Sequence, residues 1–416
     1  MKIVHPICCG VDVHKNSLVA TIATTGKNNV TTYLQKTFST LNPDLYAFLD
    51  WLLENNCYHV CMESTGKYWI PIFNILETRV KVILTHPKYV RAIKGQKTDK
   101  KDSKWIADLF KHDMVRSSFI PPADIRACRE LSRYRFKLVC VKASEKNRYQ
   151  NCMTVSNIGL ANVLSDAFGR TAQDIMAHVL TSNIVDEEFC KGLVQKAAKK
   201  KMDKIIDSIR GCNVPTDQKF KMNEAKAHMN YLDEAIARTE VELFIRMQPY
   251  LRLIDLVVIL PGIRELSAAL ILSEIGTDMD IFDDSGHLCS WAGLTPANNE
   301  SAGKKKSTRV SRAGVFLKPL LVQCALAAIK DRSEPYFALK YQKIKKRRGH
   351  KKAIIAIARM ILACIYHMLK NGEYFNPSDY EELKNPAPKV YRLTDMIAID
   401  FLKEQGYDVS VLQKVM

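Results

Sequence analysis

The segment that decides the fold lies near the start of the chain, where residues 3–25 read IVHPICCGVDVHKNSLVATIATT. Residues 3–13 and 17–25 are β-rich runs, and the polar letters HKN between them predict a strand–turn–strand unit. Asp12 stands inside the first run, where a carboxylate among apolar residues is unfavourable unless it is paired or bound to a metal. The opening segment therefore predicts a sheet that carries a functional acid.

The rest of the first domain alternates between strands and helices. The predicted elements are a strand at 31–38, a helix around 45–53, a strand at 58–62, a helix at 67–78, a strand at 80–84 and a helix at 102–114. Three strands followed by this alternation indicate an α/β domain with a mixed sheet. Because Pro121 and Pro122 break the pattern, we expect the first domain to span residues 1–120.

Two further regions follow, and both are predicted to be mostly helical. Residues 121–252 contain few prolines and have charged, periodic segments, which indicates a helical bundle or a long helical arm, of which a coiled coil is one form. The third domain, residues 253–416, contains Pro261-Gly262, a loop at 299–314 and several apolar helical runs. The fold class expected from the whole sequence is α/β plus α.

The charge of the chain indicates a polyanionic partner. Lys and Arg number 62 against 44 Asp and Glu, which gives a formal net charge of +18. Nucleic acid is the commonest partner of such proteins. A cationic group, Lys345, Lys346, Arg347 and Arg348, lies in the run KIKKRRGHKK at 343–352. Such a run either neutralises phosphates or forms a solvated helix face, and the sequence leaves both open.

Several classes of protein are disfavoured by the cysteines and the apolar segments. The 12 cysteines include no CxxC pair, which argues against a structural zinc site and suits reduced thiols in a cytosol. The N-terminus has no secretory signal pattern. The longest apolar stretch, 353–369, is broken by Arg359 and His367, so we interpret it as a buried helix. These features predict a cytoplasmic protein without a membrane partner.

Four carboxylates stand at positions that suit metal chemistry. Asp12 lies within a strand, Glu63 ends a later strand, and Asp99 and Asp102 enter a helix three residues apart, on one face. A ring of carboxylates is what a two-metal phosphoryl-transfer site requires. The order of these acids resembles the RNase-H-like nuclease fold in its DEDD, RuvC-like form. The alternative is one buried, hydrogen-bonded Asp12 with three surface charges. His14 is either a ligand or a histidine of a polar turn, and the turn is favoured.

A second group of candidate residues surrounds a serine. Ser301 is followed by Lys304, Lys305, Lys306, Arg309 and Arg312, which are suited to hold a phosphate and stabilise its developing charge. Because no GxSxG elbow surrounds it, a hydrolase triad is disfavoured. The chemistry alone does not distinguish Ser301 from Ser307.

Several motifs in order resemble the insertion-sequence-110 family of DEDD/serine transposases. They are GVDVHK, MESTGKY, KTDKKD, LPGI, WAGLTP and TRVSRAG, and they lie within residues 5–115 and 255–370. The resemblance implies that Asp12, Glu63, Asp99 and Asp102 bind Mg²⁺ and that Ser301 is the nucleophile. Ala302 stands where the family usually has glycine.

The resemblance also implies partners and an activity. It predicts a recombinase that cleaves, exchanges and rejoins donor and target DNA, guided by a structured RNA, as a homo-oligomer (dimer or tetramer). The competing interpretations are a Holliday-junction-resolvase-like nuclease without a covalent step and a non-catalytic nucleic-acid-binding protein. The LPGI segment at 260–263 is similar to a helix-hairpin-helix turn and would bring Arg264 to a DNA phosphate. A plain helix N-terminus is the alternative.

Overall fold

The computed structural model describes residues 2–87, 90, 99–182, 185–296, 299–301, 304–307, 309–385 and 402–406. The chain forms two compact units, Met1–Ile120 and Pro121–Met416. The separation of the second unit into a helical region at 121–252 and a domain at 253–416 stays a prediction.

The first unit is a mixed α/β sheet with helices. Its elements are β1 (Ile7–Val13), β2 (Ser17–Thr25), β3 (Thr31–Ser39), α1 (Asn42–Glu54), β4 (His59–Glu63), α2 (Trp69–Leu76), β5 (Lys81–Thr85) and α3 (Asp99–Lys111). The strand order is β3-β2-β1-β4-β5, with β1–β3 antiparallel and β1, β4 and β5 parallel. The predicted mixed sheet is confirmed. The first strand begins at Ile7 and not at residue 3, because Pro6 has no N–H to donate to a strand ladder.

The central strand β1 is buried on both faces because helices pack on each side of it. Side chains alternate along a strand, so Cys9, Val11 and Val13 join the core formed with α1 and α2. Cys8 points the other way and packs with Ile106 and Phe110 of α3. The face that carries Cys8 therefore also carries Gly10 and Asp12, and it is the face covered by α3.

The second unit is largely helical, as predicted. Its elements are α4 (Ala123–Val155), α5 (Leu160–Val163), α6 (Arg170–Thr181), α7 (Glu187–Leu193), α8 (Met202–Asp207), α9 (Thr216–Met247), α10 (Leu251–Val258), α11 (Glu265–Ile275), α12 (Ser285–Trp291), β6 (Asn299–Ser301), β7 (Lys304–Ser307), α13 (Leu317–Ala328), α14 (Tyr336–Arg348), α15 (His350–Asn371) and α16 (Tyr380–Lys384). Short 3₁₀ turns cover Lys196–Lys201 and Gln248–Tyr250.

The two longest helices, α4 and α9, pack along one another. In its N-terminal part, α4 is joined to α11 by partly buried charges. Arg133 forms a bidentate pair with Glu274, with distances of 2.8 and 2.9 Å. Arg129 donates to the backbone oxygens of Ser273 and Glu274, which lie in the last turn of α11. Cations are favourable there because the C-terminal carbonyls of a helix carry partial negative charge.

The apolar segment 353–369 lies in α15, a helix that is long and apolar enough to cross a membrane, the one such helix among the described residues. Nine of its side chains are buried, and it packs against α12, α13 and α14. This agrees with the interpretation as a buried helix. All 12 cysteines are free thiols.

Candidate functional site

The candidate metal centre is built on β1 and on the first turn of α3. Asp12 is 7% exposed and lies on the α3-facing side of the strand. Asp99 and Asp102 lie in the first turn of α3, as the sequence predicts, and Glu63 is the last residue of β4. Since β1 and β4 are parallel neighbours, Glu63 ends its strand at the same sheet edge at which Asp12 nears the end of β1.

Helix α3 comes unusually close to β1 because residue 10 is glycine. A Cβ atom at this position would lie 2.3 Å from the backbone nitrogen of Ala107 and 2.3 Å from the carbonyl oxygen of Ser103. Any other side chain would push the helix away from the strand. Gly10 therefore fixes the distance between the strand that carries Asp12 and the helix that carries Asp99 and Asp102.

A polar cluster next to Gly10 joins α3 to the sheet. Thr21 lies opposite Gly10 on β2, and its hydroxyl is 2.7 Å from the hydroxyl of Ser103. Both residues are almost fully buried. Gln35, opposite Thr21 on β3, donates from Nε2 to the Thr21 hydroxyl at 2.7 Å and to the carbonyl oxygen of Lys100 at 2.9 Å. The cluster thus contacts α3 next to Asp99 and Asp102. Sequence reasoning missed it, although Thr21 is a polar residue within an apolar strand.

His14 lies between two of the predicted carboxylates. Its Nε2 atom is 3.3 Å from Oδ2 of Asp12 and 3.4 Å from Oδ1 of Asp99. One ligand atom from each of these three residues lies within 4.8 Å of the others, a spacing that allows all three to hold one ion. The sequence favoured a turn histidine. The structure places His14 in the turn after β1 and also beside the carboxylates.

The remaining carboxylates act on Asp12 electrostatically. Burial raises the pKa of Asp12, His14 lowers it, and the charges of Glu63, Asp102 and Asp99 raise it further. The other three predicted acids are therefore near enough to act on Asp12. The Thr65 hydroxyl donates to Oε1 of Glu63 at 3.1 Å and orients that carboxylate.

These residues fit a divalent cation. Carboxylate oxygens with one imidazole nitrogen form a common donor set for such ions. The negative charges that raise the pKa of Asp12 would be offset by a bound cation, which favours the ionised carboxylate.

The predicted serine loop contains a short β-hairpin and is therefore not wholly irregular. The backbone of Ser301 pairs with Lys304, and Glu300 pairs with Lys305. The side chains of Ser301, Lys304, Lys305 and Lys306 lie outside the described part of the structure. Arg309 and Arg312 follow the hairpin and are exposed. Strands this short, rich in lysine, have no apolar alternation that would reveal them in the sequence.

Two interlocked glycines close the base of this hairpin. A Cβ on Gly293 would lie 2.4 Å from the carbonyl oxygen of Ala313, and one on Gly314 would lie 2.0 Å from that of Ala292. Lys318 donates from Nζ to the backbone oxygens of Ser311 (2.7 Å) and Ala313 (2.9 Å). The two ends of the segment are thus held together by backbone packing, whatever the sequence at its tip.

The LPGI turn joins α10 to α11, and Arg264 is exposed at the N-cap of α11. Gly262 has a φ of +82°, and a Cβ there would lie 2.4 Å from the Ala328 nitrogen of α13. Packing against α13 therefore explains the glycine. Contact of Arg264 with a phosphate stays a prediction.

The cationic group Lys345, Lys346, Arg347 and Arg348 forms the last turn of α14, and all four residues are exposed. Cations in the last turn stabilise a helix, so this position suits either a solvated helix end or a phosphate contact.

Comparisons with known proteins agree with the two motif sets. Residues 9–158 match the DEDD transposase model of the IS110 family, and residues 255–342 match the model described as the transposase IS116/IS110/IS902 family. Together the two matches cover more than half of the chain. The chain belongs to the IS110 family of transposases. The matched segments of this IS110-family chain contain Asp12, Glu63, Asp99, Asp102 and Ser301.

A curated relative is also similar. It is the insertion element IS900 uncharacterized 42 kDa protein of Mycobacterium paratuberculosis, which is 27% identical over 150 residues. The similar stretch covers 35% of this IS110-family chain and 37% of the relative.

Proposed function

We propose that this protein is a DNA recombinase that moves an insertion element by cleaving, exchanging and rejoining DNA strands. The observation that carries the proposal is the convergence of Asp12, His14 and Asp99, with Glu63 and Asp102 close enough to change the pKa of Asp12. Family membership and the net charge of +18 support it. The mixed sheet with an acid on its central strand supports an RNase-H-like, RuvC-like fold for the first unit.

The carboxylates are proposed to hold a divalent cation, Mg²⁺ by family resemblance. A bound divalent cation would stabilise the charge that develops on a scissile phosphate. Asp12 would hold it from the rigid strand β1, while Asp99 and Asp102 would hold it from α3. The burial of Asp12 and Gly10 keeps these elements fixed.

Ser301 is proposed as the nucleophile. Its hydroxyl oxygen loses a proton and bonds to phosphorus, and the bond from phosphorus to one DNA oxygen breaks. That oxygen takes up a proton and leaves as a strand hydroxyl. The bond between serine and DNA is itself a phosphodiester, so no bond energy is lost to hydrolysis. The hydroxyl of another strand can therefore attack its phosphorus, and the serine oxygen leaves with a proton. Lys304, Lys305, Lys306, Arg309 and Arg312 would stabilise the charge on phosphorus oxygens.

The proposed partners are donor and target DNA, a structured guide RNA and further copies of this chain. The cationic end of α14 and Arg264 are proposed contacts with nucleic-acid backbones, which do not depend on base sequence.

The experiment is a search for a protein–DNA adduct that survives denaturation after incubation with the element's DNA ends. We expect the wild type and the Ser307→Ala variant to form it, whereas Ser301→Ala does not. Asp12→Asn should also lose it while retaining DNA binding. Cleavage by Ser301→Ala at the wild-type rate would instead favour a resolvase-like nuclease, and loss only in Ser307→Ala would move the nucleophile. Binding without cleavage by any variant or the wild type would favour a non-catalytic protein.

A further inference from the structure

His14 is held in place by the turn that connects β1 and β2. Its backbone nitrogen donates to the Ser17 carbonyl oxygen at 2.9 Å, and the flanking residues Val13 and Leu18 are paired in the sheet. Its side chain is about half-exposed (46%), and Asp99 is exposed at 57%, so solvent ions reach both. The backbone that carries the imidazole is therefore fixed, and the ring is accessible to ions from solvent.

The distances from His14 Nε2 to the carboxylate oxygens of Asp12 and Asp99 are close to the spacing of two atoms that bind one metal ion. They are longer than a strong hydrogen bond. A charge-assisted hydrogen bond between nitrogen and a carboxylate oxygen is about 2.7–2.9 Å long. His14 Nε2 lies 3.3 and 3.4 Å from the two carboxylate oxygens. Two ligand atoms about 2.1 Å from one ion, at right angles, lie about 3 Å apart. A modest contraction around an ion would therefore bring all three atoms to bonding distance.

We propose that His14 is a nitrogen ligand of the metal centre, which can still hold Mg²⁺, and that its imidazole raises the affinity of the centre for Mn²⁺ relative to Mg²⁺. The proposal rests on the metal centre of the proposed function and deepens it. Mg²⁺ favours oxygen ligands in near-ideal octahedral geometry, whereas imidazole nitrogen suits transition-metal ions. Mn²⁺ accepts both carboxylate and imidazole, so a site with Asp12, Asp99 and His14 discriminates between the two ions through the imidazole.

The test measures metal binding directly, without DNA or turnover. Apo protein is titrated with Mn²⁺ while electron paramagnetic resonance counts the free ion, and Mg²⁺ binding is obtained by competition. The variants are His14→Asn, which removes the nitrogen ligand, and His14→Asp, which replaces it with an oxygen ligand. His112→Asn, in the turn that follows α3, is the matched control. Thermal unfolding in chelator verifies that each variant is folded.

The expected result is a change in selectivity. Wild type and His112→Asn should bind Mn²⁺ at least about tenfold more tightly than Mg²⁺. The His14→Asn substitution should reduce the affinity for Mn²⁺ by about tenfold and the affinity for Mg²⁺ by less than about threefold. His14→Asp should bind both ions with a reduced preference. Spin-echo modulation from a coordinated ¹⁴N nucleus should appear with the wild type and vanish in both His14 variants.

Two outcomes overturn the inference, and they differ from failure of the metal centre itself. If His14→Asn reduces the affinities for Mn²⁺ and Mg²⁺ by the same factor, or leaves both unchanged, the ratio of the two affinities stays that of wild type. The imidazole then only stabilises the carboxylates. Absence of the nitrogen signal from wild type with Mn²⁺ bound also excludes His14 as a ligand. If the wild type binds neither ion and Asp12→Asn changes nothing, the metal centre of the proposed function fails too.

Discussion

The charged form of Asp12 is disfavoured by its burial and by three neighbouring carboxylates, which together raise its pKa. Its pKa in the folded protein lies above the unfolded value of 3.8, so the ionised form destabilises the native state. The destabilisation is complete above the folded pKa and disappears as the pH falls towards 3.8. In the absence of a cation the first unit therefore carries an internal repulsion.

We expect Asp12→Asn to make the protein more stable in chelator at neutral pH, by about 0.5–2 kcal/mol, while it loses cleavage activity. Scanning calorimetry of the full chain would measure this, and the difference should shrink as the pH falls because protonated Asp12 is also neutral. Added Mn²⁺ should raise the wild-type midpoint more than that of the variant. A variant that is less stable than wild type in chelator at neutral pH would contradict the repulsion.

Single residues were predicted well where the chain itself gives them an unusual setting. Asp12 was recognised because a strand rarely contains a carboxylate, and the structure places it on β1, on the side that α3 covers. The contacts of His14 with Asp99 and of Thr21 with Ser103 were not predicted, because each joins residues more than 80 positions apart. Only the docking of α3 on the sheet reveals them.

At the scale of elements, strands and helices with apolar periodicity were predicted within a few residues. The hairpin β6–β7 was expected as a loop, because its strands are short and polar. The basic run at 343–352 was singled out for its charge and not assigned to a particular helix, and its cationic group ends α14. In both cases charged residues hide the periodicity on which the prediction depends.

Gly314 tests how the hairpin base is held. We expect Gly314→Ala to destabilise the protein by roughly 1–3 kcal/mol more than Gly211→Ala, measured by chemical unfolding. Both glycines have similar positive φ angles, +67° and +65°, so both variants incur the same backbone strain. Only Gly314 also meets a backbone oxygen, that of Ala292, while Gly211 has open space. Equal losses in the two variants would mean that the close approach is not required.

For the whole molecule, the sequence predicted an α/β domain followed by mostly helical regions, and the helical second unit agrees with it. The net charge of +18 is unevenly distributed, since the last turn of α14 has four cations in succession. Composition cannot tell which cations contact a phosphate, because a solvated helix end and a binding surface have the same sequence.

Replacing Lys345, Lys346, Arg347 and Arg348 with glutamine should weaken nucleic-acid binding across sequences. The plot of log affinity against log salt concentration has a negative slope, and this slope should become less negative by about 0.9 for each lost phosphate contact. The control is the pair Lys219→Gln and Arg238→Gln on α9, a helix with six acidic and five basic residues. A slope equal to that of wild type would indicate that these cations only stabilise the end of α14.

The interlocked glycines have a consequence for how such proteins diverge. Gly293 packs against the backbone of Ala313, and Gly314 packs against the backbone of Ala292. This packing does not involve the residues between the two pairs. Changes of length or sequence in the intervening segment that keep Ser301 and its neighbouring cations should therefore leave α12 and α13 in place. Variation is therefore expected between the fixed points of this segment, which are the glycines at its base and the proposed nucleophile Ser301.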